Sequence, residues 1–590
     1  MNSILVFGKV KYLPIFVLSF LFLSIPYFYN EKLTTGIFNT DIYLLWLAGG
    51  VCWLFSSFYA FVADRITIIL WVLLLYVTAV TFFYGRSDSN SINISITLFA
   101  SFGILLYLKE IGFLNKLLLF SIVILPGYLF QMFIGFRQFF NSEYDSLAIQ
   151  GWLNNSGYYG NYIASIIPLL LSGWLRNIQL KSYIRLIFLV FFISAIFLMF
   201  ATVARAAILG AIGGCIFVIW HNFRPLIITF SSLRFRWAVI LPVIFLAIAG
   251  LLFLINLKIN SASGRITIYT VCLNIIRDFP IIGVGPGRFS AVYNNYQGVY
   301  FQNGTISMDK QLLATDTFEA FNIILQILVE YGIVGVTILM FFIIAVKKVL
   351  VGKVFEYKNY MWVIIGNLGS LLTILISALF SNPFHCSPIF FIFLFQLAIV
   401  LSITNKNDSS IKKSIRGAPA VFGIFLVLNI GVLYYANKQH ASQRKWLQAS
   451  ENAKIGYFDD AFALYENAYN ALQFNGNYLY NYGAESGLSR KYLLSIALLE
   501  ESLTYYCHSN TYVFLGDNYT ATKQYDLAEK NYLKAVYITP SHIYPKYQLI
   551  QLYNKWGKTN KSKFWTIKTL NWPIKVKSPF TEELLSKLRK

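Results

Sequence analysis

Apolar runs long enough to cross a bilayer recur along the first 435 residues, separated by short polar and basic stretches. A helix needs about 20 apolar residues to span the hydrocarbon core. We predict thirteen spans, at residues 12–29, 42–62, 67–84, 92–108, 117–136, 160–175, 184–200, 206–220, 237–257, 321–346, 360–380, 389–403 and 421–435. The pattern predicts an all-α fold, with a polytopic transmembrane bundle over residues 1–437.

Lysine and arginine are unevenly distributed among the loops that join these spans. If the N-terminus lies inside, the inner loops receive about twice as many basic residues as the outer ones, as the positive-inside rule requires. An odd number of spans then places the C-terminal part outside. We therefore predict a multi-pass protein of a bacterial inner membrane, with a cytoplasmic N-terminus and a large periplasmic loop at about 258–320.

Residues 438–590 form a second, soluble region whose sequence repeats with a period of about 34 residues. Small residues recur at Ala461, Ser495, Ala528 and Ser562. Gly456, Arg490, Lys523 and Gly557 recur at the same spacing. This spacing resembles tetratricopeptide repeats, so we predict a periplasmic α-solenoid that has a protein partner; a non-repeating helical domain is the alternative.

Only 13% of the 590 residues are charged, against about 25% in soluble domains, although the net charge is +22. The basic residues are scattered between apolar runs, which suits contact with membrane lipid and not nucleic acid. The five cysteines are far apart and form no paired metal-binding pattern. We therefore expect no metal site and no cofactor.

Four stretches with chemically useful residues lie on the outer side in this topology. They are residues 151–164, 202–207, 261–289 and 320–335. The first contains an asparagine–glycine segment, and the second contains Arg205. The third contains Arg265 followed by the turn Pro280-Ile-Ile-Gly-Val-Gly-Pro-Gly287, and the fourth contains the helix-like segment Asn322-Ile-Ile-Leu-Gln-Ile-Leu-Val-Glu330. Each motif alone has low specificity, whereas the ordered set at one membrane face is specific.

The ordered set resembles the O-antigen ligase and polymerase family, over roughly residues 150–340. The resemblance implies transfer of a glycan from undecaprenyl diphosphate to an acceptor hydroxyl, which belongs to another glycan, to lipid A core or to a protein. The catalytic candidates are Arg265, Arg205, Asp316, Glu319 and Asn322. The candidates for substrate binding are Asn155, Gly283, Gly285, Gly287 and Glu330.

The chemistry of these residue types suits such a reaction. A departing diphosphate develops negative charge, which an arginine fork can bind through two hydrogen bonds. Arg265 is expected at the start of a helix, where free N–H groups add positive potential. Arg205 lies at the edge of an apolar span, where a charge is costly unless it is used. For the glycine cluster, a tight turn is the simpler interpretation.

One position departs from the family pattern. Many members place a histidine immediately before the asparagine of the fourth motif, where it is thought to act as a base or to orient the acceptor. Here that residue is Phe321. None of the five histidines falls in a family motif. Asp316 or Glu319 is therefore the candidate base, while Glu330 could pair with an arginine. Asn322 could orient the acceptor or cap the tenth predicted span.

Several functions remain compatible with the sequence. A ligase or polymerase ranks first, and a protein O-oligosaccharyltransferase of the same family second. A non-catalytic membrane scaffold for envelope glycan assembly is the alternative from another class, favoured by the missing histidine. A transporter is disfavoured because no pair of interrupted spans with a central charge is predicted.

Overall fold

The computed structural model describes residues 40–56, 65–83, 88–110, 113–142, 145–176, 182–229, 259–303, 306–353, 360–401, 418–575 and 577–589. Every regular element in these ranges is a helix, which confirms the all-α prediction. The predicted spans at 12–29 and 237–257 lie outside the described residues. The count of thirteen spans therefore stays a prediction.

The apolar part of the chain contains fourteen described α-helices. They are α1 (Thr40–Ser56), α2 (Arg65–Phe83), α3 (Ser89–Glu110), α4 (Phe113–Asn141), α5 (Ser156–Ala164), α6 (Ile167–Arg176), α7 (Ser182–Ala201), α8 (Arg205–Thr229), α9 (Ile259–Asp278), α10 (Phe289–Asn303), α11 (Met308–Leu313), α12 (Ile323–Lys353), α13 (Met361–Ala378) and α14 (Ser387–Leu401). Within the described ranges, six of them, α2, α3, α7, α8, α12 and α13, are long and apolar enough to cross a membrane.

The sixth predicted span is two short helices, α5 and α6, instead of one. Pro168 lies four residues after Ala164, the last residue of α5, and has no N–H to donate to the carbonyl of that residue. The chain therefore restarts its helix at Ile167. The residues from Tyr159 through Gly173 are all buried, so the division between the two helices lies inside the bundle.

Small residues allow the membrane helices to approach one another closely. A Cβ atom on Gly214 of α8 would lie 2.4 Å from the carbonyl oxygen of Gly369 of α13. A Cβ atom on Gly210 would lie 2.3 Å from the carbonyl oxygen of Thr373. Close backbone approach through small residues is typical of packing between membrane helices, so α8 and α13 form a firmly packed pair.

Helix α12 is interrupted at Gly332, whose backbone has φ 60° and ψ −163°. The turn before α10 runs alongside the interruption and bonds to it. The amide of Val284 donates to the carbonyl of Val329 at 2.8 Å, and the amide of Ile333 donates to the carbonyl of Pro280 at 3.0 Å. We call residues 280–287 together with 329–334 the glycine clamp. Because the clamp pairs backbone groups that the break frees, the interruption costs little hydrogen bonding.

Helix α15 (Ala418–Lys454) runs continuously through position 437, the predicted boundary between the two regions. Eight further helices follow it: α16 (Phe458–Leu472), α17 (Gly476–Leu488), α18 (Tyr492–Ser502), α19 (Ser509–Ala521), α20 (Tyr525–Ile538), α21 (Ile543–Trp556), α22 (Thr559–Leu570) and α23 (Pro579–Arg589). We call residues 458–589 the helical tail. The first helices of its four pairs begin 33 or 34 residues apart.

The repeated positions have repeated environments. The small residues Ala461, Ser495, Ala528 and Ser562 are all buried. The turn residues Gly456, Arg490, Lys523 and Gly557 all have a positive φ, between 62° and 90°. The 34-residue period thus corresponds to a recurring helix pair that begins after a left-handed turn. The assignment of these pairs to the tetratricopeptide class stays a prediction.

Candidate active site

Three residues with a side chain have left-handed backbone conformations within the predicted motifs. They are Asn154 with φ 53°, Val203 with φ 51° and Phe321 with φ 51°. This conformation costs about 1–2 kcal/mol for a residue other than glycine, and it is least expected for a β-branched valine. Strain of this kind concentrates at functional sites. The three outliers indicate that the first, second and fourth motifs are held in set conformations.

Arg205 lies near enough to Arg265 to interact with its charge, and Arg265 lies against Phe321. Arg205 is the first residue of α8, directly after the strained turn at Val203. The guanidinium of Arg265 lies 5.7 Å from the centroid of the Phe321 ring, within the range of a cation–π contact. Burial lowers the pKa of Arg265, and the nearby charge of Arg205 lowers it further, while Tyr269 and Glu319 act in the opposite direction. The side chain stays a cation, because arginine titrates far above neutral pH.

The expected position of Arg265 at the start of a helix is wrong. Helix α9 already includes Ile259, so Arg265 is at least its seventh residue. Only the first four amides of a helix lack internal partners. Free helical N–H groups therefore do not add to the positive potential of Arg265, which depends on its own charge and on Arg205.

Glu319 is held by two residues that the sequence interpretation did not select. The Nδ2 atom of Asn382 donates to its Oε2 atom at 2.7 Å, and Nδ1 of His385 lies 3.0 Å from the same oxygen. The Glu319 side chain is 17% exposed, whereas that of His385 is 56% exposed. The pair therefore combines a largely buried carboxylate with an imidazole that an incoming group can reach.

The pKa of His385 lies above its ordinary value of 6.5. Partial desolvation by the surrounding protein lowers this pKa, but the hydrogen bond to Glu319 and the negative charges of Glu319 and Glu330 outweigh that effect. An imidazole beside a carboxylate is a common general base. His385 was overlooked because it matches no family motif. One sequence signal could have found it, since residues 381–388 form a polar loop on the same predicted side as the other candidates.

Asp316 is bound to the helical tail. Its carboxylate accepts hydrogen bonds from the amide of Ser509 at 2.8 Å and from the hydroxyl of Ser509 at 2.6 Å. The Nε2 atom of His508 lies 3.7 Å from Oδ2 of Asp316. Both carboxylate oxygens are thus engaged in anchoring the loop that carries Glu319. Of the two candidate bases, Glu319 is the one that lies beside the arginines.

The two candidate asparagines cap helices. The Oδ1 atom of Asn322 accepts from the amides of Ile324 and Leu325 at 3.0 and 3.1 Å, and its Nδ2 donates to the carbonyl of Leu379. The side chain of Asn155 caps α5 by accepting from the amide of Tyr158 at 3.0 Å. Both side chains therefore fix the starts of helices that lead away from the site.

The three candidate glycines and Glu330 belong to the glycine clamp. Gly283, Gly285 and Gly287 have φ values of 69°, 104° and 69°. The Glu330 carboxylate accepts from Nε2 of Gln326 at 2.7 Å and from the backbone amides of Gly287 and Phe289. These partners are amides instead of the arginine considered from the sequence. The three glycines and Glu330 therefore hold the turn of residues 280–287 against the interrupted helix α12.

Comparison with known proteins agrees with this arrangement. Residues 189–340 match a family model described as O-Antigen ligase. The matched segment contains Arg205, Arg265, Glu319 and the glycine clamp, although His385 lies beyond it. A search of curated proteins gives no match to this chain. The apolar helices and the family match together indicate an integral membrane protein that acts in glycan transfer. The resemblance to the O-antigen ligase family is confirmed, because the chain carries an O-antigen ligase domain within residues 189–340.

Proposed function

We propose that the protein transfers a glycan from undecaprenyl diphosphate to an acceptor hydroxyl, as an O-antigen ligase or polymerase does. The observation that carries this proposal is the convergence of Arg205, Arg265 and the Glu319–His385 pair beside Phe321. Two cations and a potential base at one place are the groups that displacement of a diphosphate requires. The family match over residues 189–340 supports the same reaction class.

The arginines act on the leaving group. When the bond between the anomeric carbon and the phosphate oxygen breaks, its electron pair stays on the diphosphate. Arg265 can bind the resulting anion through two parallel N–H groups, and Arg205 adds a second positive charge nearby. The partial burial of Arg265 strengthens this attraction because less water screens it. The cation–π contact with Phe321 holds the guanidinium in place between turnovers.

The Glu319–His385 pair acts on the acceptor. Nδ1 of His385 donates to Glu319, which leaves the Nε2 lone pair available to the acceptor hydroxyl. As the acceptor oxygen bonds to the anomeric carbon, its proton moves to Nε2. Glu319 orients the ring and stabilises the imidazolium that forms. Asn382 in turn fixes the carboxylate through its amide.

The placement of the protein in the cell is part of the proposal. The basic loops favour a cytoplasmic N-terminus in the inner membrane, and residues 438–590 would then be periplasmic, beside the membrane domain of residues 1–437. The site lies at the same end of the bundle as the helical tail, which bonds to Asp316. The donor is expected on that side of the membrane.

The test compares two arginines of the same helix in a deletion strain. Arg265→Ala removes the proposed phosphate-binding cation, and Arg277→Ala is the matched control because that side chain is exposed on α9. Lipopolysaccharide and glycoprotein profiles are recorded together with the abundance of each variant in the membrane. We expect Arg277→Ala to restore the surface glycan and Arg265→Ala to leave it absent.

The pattern of loss identifies the acceptor. Loss of long-chain lipopolysaccharide indicates a ligase or polymerase, and core that carries a single repeat unit identifies the polymerase. Loss of glycoprotein bands alone makes a protein the acceptor. A normal glycan profile with Arg265→Ala at normal abundance would refute the enzymatic proposal in favour of a scaffold.

A further inference from the structure

A cavity of about 370 Å³ lies where the ligase segment meets the helical tail. One part of its wall comes from α9 and from the loop before α12, with Arg265, Thr317 and Phe321. Another part is Lys575, which follows α22 in the helical tail. The volume falls within the range of ligand sites, about 300–1,000 Å³. The cavity therefore has room for a charged group and for part of what is attached to it.

The charged residues among the described lining of this cavity are both basic. Arg265 and Lys575 are both cationic, and the described residues that line the cavity include no aspartate or glutamate. Two like charges facing one space repel each other, and an anion between them removes that cost. Asp316, on the same loop as Thr317, is not part of the lining, and its oxygens are bonded to Ser509. The lining thus favours an anion over a neutral sugar.

The segment that carries Lys575 is fixed to the helical tail. Trp572 packs on the hydrophobic cluster of Ile543, Leu584 and Leu585. The Nζ atom of Lys546 lies 3.5 Å from the centroid of the Trp572 ring and donates to the carbonyl of Pro540 at 2.6 Å. Lys575 lies three residues beyond this anchor and is exposed, and its side chain is part of the cavity lining.

The opposite wall is tied to the helical tail as well. The Nε2 atom of Gln297 donates to the carbonyl of Thr315 at 3.0 Å and to the carbonyl of Ile538 at 2.7 Å. One amide thus joins the loop of the ligase segment to the end of α20. Since Gln297 and Thr315 both line the cavity, these bonds fix the shape of this side of it. A preformed space of this kind lowers the cost of ordering a bound group.

We propose that this cavity holds the diphosphate of the lipid-linked donor between Arg265 and Lys575, so that the helical tail supplies part of the donor site. The inference rests on the proposed function, because it assigns the anion to the leaving group of that reaction. A diphosphate has two charged phosphoryl groups and suits two cations on facing walls. Arginine offers a planar fork and lysine a point charge, and both are ordinary ligands of phosphate.

The test measures binding of inorganic pyrophosphate to the full-length protein in nanodiscs of zwitterionic lipid, without any transfer reaction. Lys575→Ala is compared with Lys577→Ala, the matched control, which removes an exposed lysine of the same segment that does not line the cavity. We expect Lys575→Ala to weaken binding roughly fivefold or more and Lys575→Arg to restore it, since the lost contact is charge-assisted. Lys577→Ala should bind as the wild type does. Melting temperatures of all variants verify folding.

Arg265→Ala is titrated alongside these variants, and the outcomes distinguish failure of this inference from failure of the proposed function. If Arg265→Ala loses pyrophosphate and Lys575→Ala does not, the helical tail is not part of the donor site, while the transfer reaction stands. If neither variant changes binding, the cavity does not hold the anion and the inference fails, while the glycan profile of Arg265→Ala decides the transfer reaction separately. If Lys575→Ala weakens binding and Arg265→Ala does not, the anion does not lie between the two cations and the inference is overturned. Repeating the titration with undecaprenyl diphosphate distinguishes a donor site from one for free phosphate.

Discussion

Replacing Gly283 with alanine should release the glycine clamp. Gly283 has φ 69°, and a Cβ atom there would lie 2.5 Å from the carbonyl oxygen of Val329 and 2.5 Å from the carbonyl carbon of Glu330. Both distances are well below an ordinary contact of about 3.5–4.0 Å. The obstacle is backbone, so no side chain can rotate away. The turn must therefore move off the interrupted helix.

The expected loss can be built from these contacts. The left-handed conformation alone costs an alanine about 1–2 kcal/mol. Moving the turn breaks the bonds from the amides of Val284 and Gly285 to the carbonyls of Val329 and Glu330, which measure 2.8 and 3.0 Å. A buried polar group that loses its partner costs about 1–3 kcal/mol. We expect Gly283→Ala to destabilise the protein by about 3–8 kcal/mol.

The assay is thermal unfolding in one detergent, followed by intrinsic fluorescence, with transfer activity measured in parallel. Gly431→Ala serves as the control, because a Cβ atom on this residue of α15 meets nothing within 4 Å. That change should leave the melting temperature unchanged or raise it slightly, as alanine is the better helix former. If Gly283→Ala melted and reacted like the wild type, the clamp would not hold the interrupted helix, and the glycines could again be considered as substrate ligands.

Further predictions concern the helical tail and the base. Gly557 has φ 74°, and an added Cβ would meet no atom within 4 Å, so Gly557→Ala adds backbone strain but no clash. We expect this change to destabilise the protein by about 1 kcal/mol, which a thermal melt measures. Asp316→Asn and Ser509→Ala should each reduce thermal stability, and the double variant should lose less than their sum, because they remove one shared contact. The transfer rate should rise with pH through a midpoint above 6.5, because His385 must be neutral to accept a proton and its pKa is raised. Glu319→Gln should lower that midpoint, because it removes the negative charge that raises the pKa of His385.

The sign of the pH effect on stability is opposite to that on rate. A histidine whose pKa is higher in the folded protein stabilises the fold while it is protonated, and that contribution is lost as the pH rises through the raised value. The Glu319–His385 pair should therefore be most stabilising below pH 6.5, where the transfer reaction is slow. Opposite trends in melting temperature and rate across this range would distinguish His385 from a group that affects both through folding alone.

Local patterns in the sequence predicted what depends on local structure. The 34-residue period reflects helix pairs in which a small residue must be buried at each crossing, and Ala461 and Ser495 are both fully buried. Arg490 and Lys523 recur with this period, and both have a left-handed backbone conformation although neither is a glycine. Periodicity is therefore a better guide to this part of the fold than the turn propensity of any single residue.

Features that depend on distant contacts were not predictable in the same way. The interruption at Gly332 lies inside an apolar run of ordinary appearance, and it is stable because residues 280–285 provide hydrogen bonds from outside the helix. The pair formed by Glu319 and His385 joins two loops, and Asn382, which completes it, is 63 positions from Glu319. A motif search examines neighbours along the chain, so it finds Glu319 and omits its partners.

Phe321 explains how the site can work without a histidine at this position. Its backbone is in the left-handed region, and its ring lies against the guanidinium of Arg265. A protonated imidazole here would repel that cation, whereas an aromatic face attracts it. His385 approaches from another loop and bonds to Glu319, so its charge is balanced by a carboxylate when it accepts a proton. In the proposed reaction, the Phe321 ring would hold the arginine and the imidazole of His385 would accept the proton, so the two tasks fall to separate positions of the chain.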